Sequence, residues 1–440
     1  MSIVAINRSI IENYRSVCDI YLGSVADTLR SGHRRRVVST QTRARRPATP
    51  SRITRAGEVL DLVRRGQAST TGQIADELGL ARSTITDRID VLLDSGLVHQ
   101  SEPDPAMSTG RGRPTAHLSF NPAAGTALAA QLGISGVRLA VTDLSGVIEV
   151  SEVVDISLDD GVEAVLGMVT DGFQRLLADR GIDTGSVHGI GIGIPAPVEL
   201  RAHQPANSPR QWTPEAVRDQ LLDWLDVPVF VDHDVNLLAF GEHCARADDP
   251  EVLLCLKVGT VIGCGVVVNG RVVRGTSQLA GEIGHTRVHD SDVPCNCGNV
   301  GCLNAIASGG ALAAQLTATG IDAPDARAVA QLARSGQVDA GRAVREAGRQ
   351  IGEALASTVN LLNPAVISLW GYLAEAEEQL LGGIGESIAR LAQPGPAHAL
   401  SIEPALMGQD AGIYGAAMTV IEHALQPASV DAHLLAARQL

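Results

Sequence analysis

Apolar residues fall at helical spacing three times between residues 54 and 96. Val59, Leu60 and Val63 form a stripe that begins near Thr54 and stops near Gly66. Ile74, Ala75 and Leu78 predict a second helix over Thr71 to Leu78, with Gly79 making a tight turn after it. Ile85, Ile89, Leu92 and Leu93 predict a third helix from Arg82 to Asp94, ended by Gly96. Two short helices and a longer one around a glycine turn have the spacing of a helix-turn-helix. The third helix leaves short hydroxyls and cations facing outward, so Arg82, Ser83, Thr84, Thr86 and Arg88 are the candidate DNA contacts. Ala81 stands at the expected N-cap and has no side-chain oxygen to offer the first turn. After Gly96-Leu97-Val98 a β-hairpin wing is expected. Arg111 and Arg113 of Gly110-Arg111-Gly112-Arg113-Pro114 lie at or just beyond its tip, where Gly-flanked arginines suit a narrow minor groove.

Past residue 120 the pattern changes to short apolar runs separated by turn residues and amphipathic stretches. Strands are expected over Ala127 to Leu132, Val137 to Asp143, Gly189 to Pro197, Val227 to Asp232, Glu251 to Val258 and Cys264 to Val268. The fourth leads into a helix over about Asn236 to Cys244. Helical periodicity returns in 326–360 and 379–391. Strands alternating with helices place this part in the α/β class.

Length and charge divide the chain in the same way. At 440 residues it exceeds one ordinary domain. The first 120 residues carry 17 Lys and Arg against 12 Asp and Glu, whereas the other 320 carry 18 against 37. A basic front on an acidic body suits a DNA-reading head joined to a ligand-binding domain. The expected organisation is a basic arm over 1–50, a winged helix-turn-helix over 51–118, a ligand-binding body over 119–425 and a C-terminal tail over 426–440. The arm is expected to be disordered, because six arginines between Arg34 and Arg46 set among Ser, Thr and Pro cannot bury a core. With no apolar run of membrane-spanning length and no signal-peptide order at the N-terminus, the expected location is the cytoplasm, without a membrane partner. An odd number of cysteines, seven, fits a reducing compartment.

Three of those cysteines fall within eight positions. Cys295, Cys297 and Cys302 follow the His285 of Gly281-Glu282-Ile283-Gly284-His285. Three thiolates and one imidazole make a closed tetrahedral set, and soft sulfur donors in that number favour a structural Zn2+ over a hard cation.

The segment resembles the pattern of the ROK family of sugar kinases and sugar-responsive repressors, E-x-G-H followed by C-x-C-G-x-x-G-C, at every fixed position. The resemblance runs from about Ala123 to Leu425. It implies an actin-like ATPase body of two lobes, a zinc-bound loop beside a sugar pocket, and a His285 that both ligates metal and contacts sugar. It also implies sugar contacts at Glu282 and at Asp234, which stands where the family's kinases keep their catalytic base. His233 replaces an Asn beside that base, and Asn304 replaces a Glu, which alters the sugar substituents favoured. Ala196 replaces a Gly between Pro195 and Pro197. The winged head resembles that of the family's repressors, which carry a G-R-G-R-P segment just before the sugar-binding domain.

The kinase phosphate contacts are altered at three places. A D-x-G-G-T turn becomes Gln131-Leu132-Gly133-Ile134-Ser135. A G-T-G-x-G-x-G loop becomes Gly259-Thr260-Val261-Ile262-Gly263-Cys264-Gly265, and a Gly-Gly pair at the adenosine wall becomes Trp370-Gly371. The expectation is therefore a regulator rather than an enzyme. It would bind operator DNA and a sugar or sugar-phosphate effector as a homodimer or homotetramer. Its rivals are a sugar kinase with an added DNA-binding head and a ligand-blind DNA-binding protein.

Overall fold

The computed structural model describes residues 55–101, 116–134, 136–202, 211–288 and 291–437. The arm over 1–50 and the wing arginines Arg111 and Arg113 lie outside the described residues.

The head is built from α1 (Ala56–Arg64), α2 (Thr71–Leu78), α3 (Arg82–Asp94) and the antiparallel strands β1 (Val98–Ser101) and β2 (His117–Phe120). Thr70 caps α2 through a reciprocal bond with Gln73, and Gly79 closes it in the left-handed region at φ 63°. Ala81 precedes α3 without a side-chain cap. Ile74, Ile85, Leu60 and Leu92 are fully buried where the three helices meet. Arg88 corrects the outward reading of α3, for it is only 6% exposed. The positions 85, 88, 89 and 92 follow the i, i+3, i+4, i+7 rule, so Arg88 shares the core face of Ile85, Ile89 and Leu92. Burial pushes its guanidinium pKa down, and the Arg55 charge works in the same direction.

The body repeats one topology twice. The first sheet contains β3 (Thr126–Leu132), β4 (Gly136–Asp143), β5 (Ile148–Asp155), β6 (Val187–Ile194) and β7 (Val229–His233), with α4 (Val162–Arg180) and α5 (Pro214–Trp224) in its crossovers. The helix α6 (Asp234–Ala245) starts where β7 stops. The second sheet begins with β8 (Val252–Val258), β9 (Ile262–Val268) and β10 (Arg271–Val272). A helical layer follows, with α7 (Gly309–Ala318), α8 (Ala326–Arg334) and α9 (Val338–Leu362). Then come β11 (Val366–Trp370), α10 (Glu377–Leu391) and β12 (Ser401–Pro404). Strand orders are β5-β4-β3-β6-β7 and β10-β9-β8-β11-β12. Each sheet has an antiparallel meander continued by two parallel strands. This duplicated α/β sheet is the two-lobed, actin-like body. Its two phosphate-type hairpins, β3–β4 and β8–β9, occupy equivalent places in the two sheets.

The last helices are α11 (Ala411–Ala424), packed on α6 and β6, and α12 (Pro427–Ala436). Residues 427–436, expected as a tail, are instead part of the head's packing. Val430 and Leu434, four apart on one face, are buried in the same apolar cluster as Val59 and Leu60. Arg55, at φ 70°, has no side-chain cap to give α1. The cap comes from Asp431, whose carboxylate accepts the N–H of Arg55 at 2.6 Å and that of Gly57 at 2.8 Å. A Cβ on Gly57 would lie 2.2 Å from the Pro427 carbonyl oxygen, so only glycine admits α12 this close. Arg64 adds a two-pronged pair to Glu422 of α11, at 2.7 and 3.2 Å.

Candidate ligand cleft and metal centre

The strand-to-helix junction at the end of β7 presents two carboxylates. Asp232 is held from several sides. Its Oδ1 accepts from the His233 N–H and from Asn236 Nδ2, and its Oδ2 accepts from Arg274 Nε at 2.9 Å and Nη2 at 2.6 Å. Asp234 opens α6, with its Oδ1 accepting the Val235 N–H at 2.8 Å. Its Oδ2 accepts from Lys257 Nζ, which reaches across from β8. Both side chains are mostly buried, at 5% and 13% exposure.

Glu282 faces the same space from the turn before the short helix Ile283–His285. Gly281 fixes that turn at φ 93°, and a Cβ there would collide with the Cys264 carbonyl oxygen of β9 at 1.7 Å. Asp234, Lys257 and Glu282 line a cavity with Pro195, Ala196, Val235, Val261, Ile262 and Gly263. Its volume is about 20 Å³, room for about one water.

Of the expected sugar contacts, Asp234 and Glu282 meet in this cavity, and Ala196 lines it. His233 is buried at the N-cap of α6, Asn304 accepts the Ile262 N–H at 2.5 Å, and neither forms part of the cavity wall. His285 stands beside the wall, with Nε2 3.7 Å from Glu282 Oε2.

Lys257 was absent from the sequence-based candidates. Its signal was available, since it is the only lysine among the 440 residues.

The residues at the altered phosphate-loop positions make contacts within the protein. The Gln131 carboxamide packs on Gly412 at the start of α11, where a Cβ would lie 2.3 Å from it. Ile134 packs against the first lobe's apolar core. Val261 projects into the cavity wall, while the Gly259 and Thr260 carbonyls accept the N–H groups of Gly309 and Gly310 at the start of α7. These two bonds tie the loop to α7 through its carbonyl oxygens.

At the metal loop, the donor atoms of His285, Cys295, Cys297 and Cys302 all lie within 4.8 Å of one another. Cys295 Sγ is 3.6 Å from His285 Nδ1, and Cys297 Sγ is 3.6 Å from Cys302 Sγ. Donors around a tetrahedral zinc with bonds of about 2.3 Å lie roughly 3.7 Å apart, so the set fits the ion. Burial pushes the Cys302 thiol up to about 12, and the Cys297 and Cys295 thiols push it the same way. Three crowded thiols need a cation to ionise together. His285 Nδ1 faces the cysteines, and its buried Nε2 has no hydrogen-bond partner. One ring nitrogen is thus available to a metal and the other to the Glu282 side. A turn closed by the bond from the Gly298 N–H to the Cys295 carbonyl, with Gly298 at φ 92°, aims the first two thiols at the third.

On the head, Arg82, Ser83 and Thr86 are exposed on α3 and Thr84 is half-buried. The Thr86 hydroxyl donates to the Arg82 carbonyl at 3.0 Å, a back-bond that leaves its lone pairs free to accept.

Comparison with known proteins places these features in context. The profile described as "ROK family" matches residues 127–423, and one described as "Helix-turn-helix domain" matches residues 56–101. The xylose repressor of Bacillus spizizenii is 25% identical over 354 residues, covering 80% of this chain and 91% of the repressor. A glucokinase of Halalkalibacterium halodurans is 28% identical over 303 residues, covering 64% of this chain and 91% of the kinase. Among solved structures, a ROK family transcriptional regulator, homolog of the E. coli MLC protein, aligns with a TM-score of 0.70 at 25% identity, over 88% of this chain and 99% of that one.

Proposed function

The chain belongs to the ROK family, and we propose on that footing that it is a sugar-responsive transcriptional repressor that binds operator DNA through its winged head. The observation that carries this reading is the contrast inside one cleft. Asp234 and Glu282 keep a hydrogen-bonding set suited to hydroxyls, while Val261 stands in the wall of the same cavity and Gln131 and Ile134 stand where the kinase pattern has an Asp and a Gly. Asp234 acts as an anchor rather than a base, since a carboxylate accepts a hydrogen bond from a sugar hydroxyl whether or not a phosphate is nearby.

Zinc held by His285, Cys295, Cys297 and Cys302 is the cofactor this reading calls for, as a structural ion. Bound there, it stiffens the loop and fixes which nitrogen His285 turns toward Glu282. His233 and Asn304 support the site from behind the wall, shaping the backbone at α6 and β9.

On the DNA side, the proposed contacts are Arg82, Ser83, Thr84 and Thr86 on α3, with Arg111 and Arg113 from the wing. Effector binding acts by population shift: opening or closing the cleft changes the spacing of two heads in a homodimer or dimer-based homotetramer. The setting is cytoplasmic. Among the described residues, no helix is long and apolar enough to cross a membrane.

The test is a DNA-binding titration with purified protein against the promoter region adjoining its gene, with and without each of a panel of sugars, alongside an ATP-consumption assay. The proposal expects one sugar to change DNA affinity and none to be phosphorylated. Changing Arg111 and Arg113 together to Ala should weaken binding and lower its salt slope by about one counterion per lost phosphate contact. Steady sugar-dependent ATP use would replace the repressor reading with that of a kinase bearing a DNA-binding head. DNA binding indifferent to every sugar would leave the ligand-blind regulator.

A further inference from the structure

The basic residues of this chain number 35, and all but one are arginine; the single lysine is Lys257. It stands in the wall of the cleft with its ammonium on Asp234, the residue on which a sugar hydroxyl would dock. Two residues earlier on the same chain segment, Asp232 is gripped by Arg274 through both Nε and Nη2. Two neighbouring carboxylates are thus held in two ways, one by a planar guanidinium fork and one by a single compact ammonium. A fork fixes its partner in orientation, whereas an ammonium on a flexible stem can leave one acceptor and be rehydrated. In a chain that uses arginine everywhere else, a lysine here suits a partner that has to be given up.

We propose that Lys257 is an internal competitor for Asp234, displaced when an uncharged sugar binds, so that it sets the sugar affinity of the cleft. The inference rests on reading the cleft as the effector site. Without ligand, the ion pair satisfies a buried carboxylate and helps hold the cavity to about 20 Å³. A sugar hydroxyl replaces the ammonium as donor to Asp234 Oδ2, and Lys257 swings away as the cleft opens. Charge selects the ligand class. The cavity wall holds two carboxylates, Asp234 and Glu282, to one ammonium. That wall repels a phosphate and requires a ligand rich in donors, which a phosphate lacks and a free sugar supplies.

The experiment is calorimetric titration of the full-length, zinc-replete wild type, Lys257→Met and Lys257→Arg with D-xylose, D-glucose, N-acetyl-D-glucosamine and glucose 6-phosphate. Lys257→Met should bind the preferred neutral sugar about tenfold or more tightly than wild type, the scale of one charge-assisted hydrogen bond. Lys257→Arg, a fork harder to release, should bind it more weakly. Reductive 13C-methylation of the wild type gives a second readout that needs no variant to fold. The one lysine resonance, apart from the α-amino signal, should shift on addition of that sugar.

Weaker or unchanged binding by Lys257→Met overturns the proposal. So does a lysine resonance that stays put while the sugar binds, or a wild-type preference for glucose 6-phosphate that Lys257→Met abolishes. If all three proteins ignore every sugar, the effector reading of the cleft falls first and the proposal with it. Binding with the wrong order among variants overturns the proposal alone.

Discussion

The two sides of the cleft have opposite characters, and one of them is built from equivalent parts of a repeated fold. The β3–β4 and β8–β9 hairpins hold matching positions in sheets of the same strand order, and both are engaged within the protein. Gln131 packs on Gly412, and Gly259 and Thr260 brace α7. The wall formed by the start of α6 and the turn at Glu282 keeps its polar side chains directed into the cavity. Capacity for phosphate and capacity for hydroxyls rest on different elements here, so each can change without the other. Phosphate recognition needs close approach to backbone amides, which a branched side chain such as Val261 obstructs. Hydroxyl recognition needs a few carboxylates on rigid junctions.

Four outcomes would sharpen or break that contrast. The largest effect is expected at the metal loop, which supports the polar wall from outside. Cys297→Ser should reduce zinc from one ion per chain to none by elemental analysis and lower the melting temperature. It should also abolish the sugar response, making the polar wall as inert as the other. Retained zinc or an intact response would uncouple loop from wall.

Next in size, Asp234→Ala should weaken effector binding by roughly tenfold or more, with zinc content and circular dichroism unchanged. Third, Val261→Gly should leave ATP consumption at the blank level, because Gln131 and Ile134 still close the other hairpin. Turnover in that variant would mean that the phosphate wall hangs on one side chain. Smallest is a pair of changes on one helix of the head, where a cation at work and a cation built into the core lie six residues apart. Arg82→Ala should flatten the salt dependence of DNA binding by about one counterion. Arg88→Ala should leave that slope alone and register only in the melting temperature.

The sequence shows these features unevenly, and the reasons are physical. The three helices of the head were legible nearly to the residue, because each buries one apolar stripe and so keeps a clean 3.6-residue period. The metal set was legible from spacing alone, since its ligands are nearly contiguous. The same periodicity also held the correct assignment of Arg88, three residues after Ile85 and one before Ile89, but a long cation among Ser and Thr reads as exposed unless the wheel is followed strictly. The edge strand β5 and the helix α4 went unremarked. Every second residue of β5 is exposed, which leaves only a weak apolar alternation. Helix α12 read as a tail because two buried residues in ten carry little signal until α1 is set against them. Lys257 is conspicuous by count, but its partner Asp234 lies 23 residues away, and only the folded junction brings them together.

Asp431 caps a helix that precedes it by 376 positions, and this bears on how the protein is made. As the chain leaves the ribosome its head emerges early, yet α1 has no N-cap of its own and part of its apolar face has no cover until α11 and α12 arrive. The head is thus synthesised before the helices that complete it. A chain terminated ahead of α12 carries a head without the Asp431 cap and without the Val430 and Leu434 side of its core.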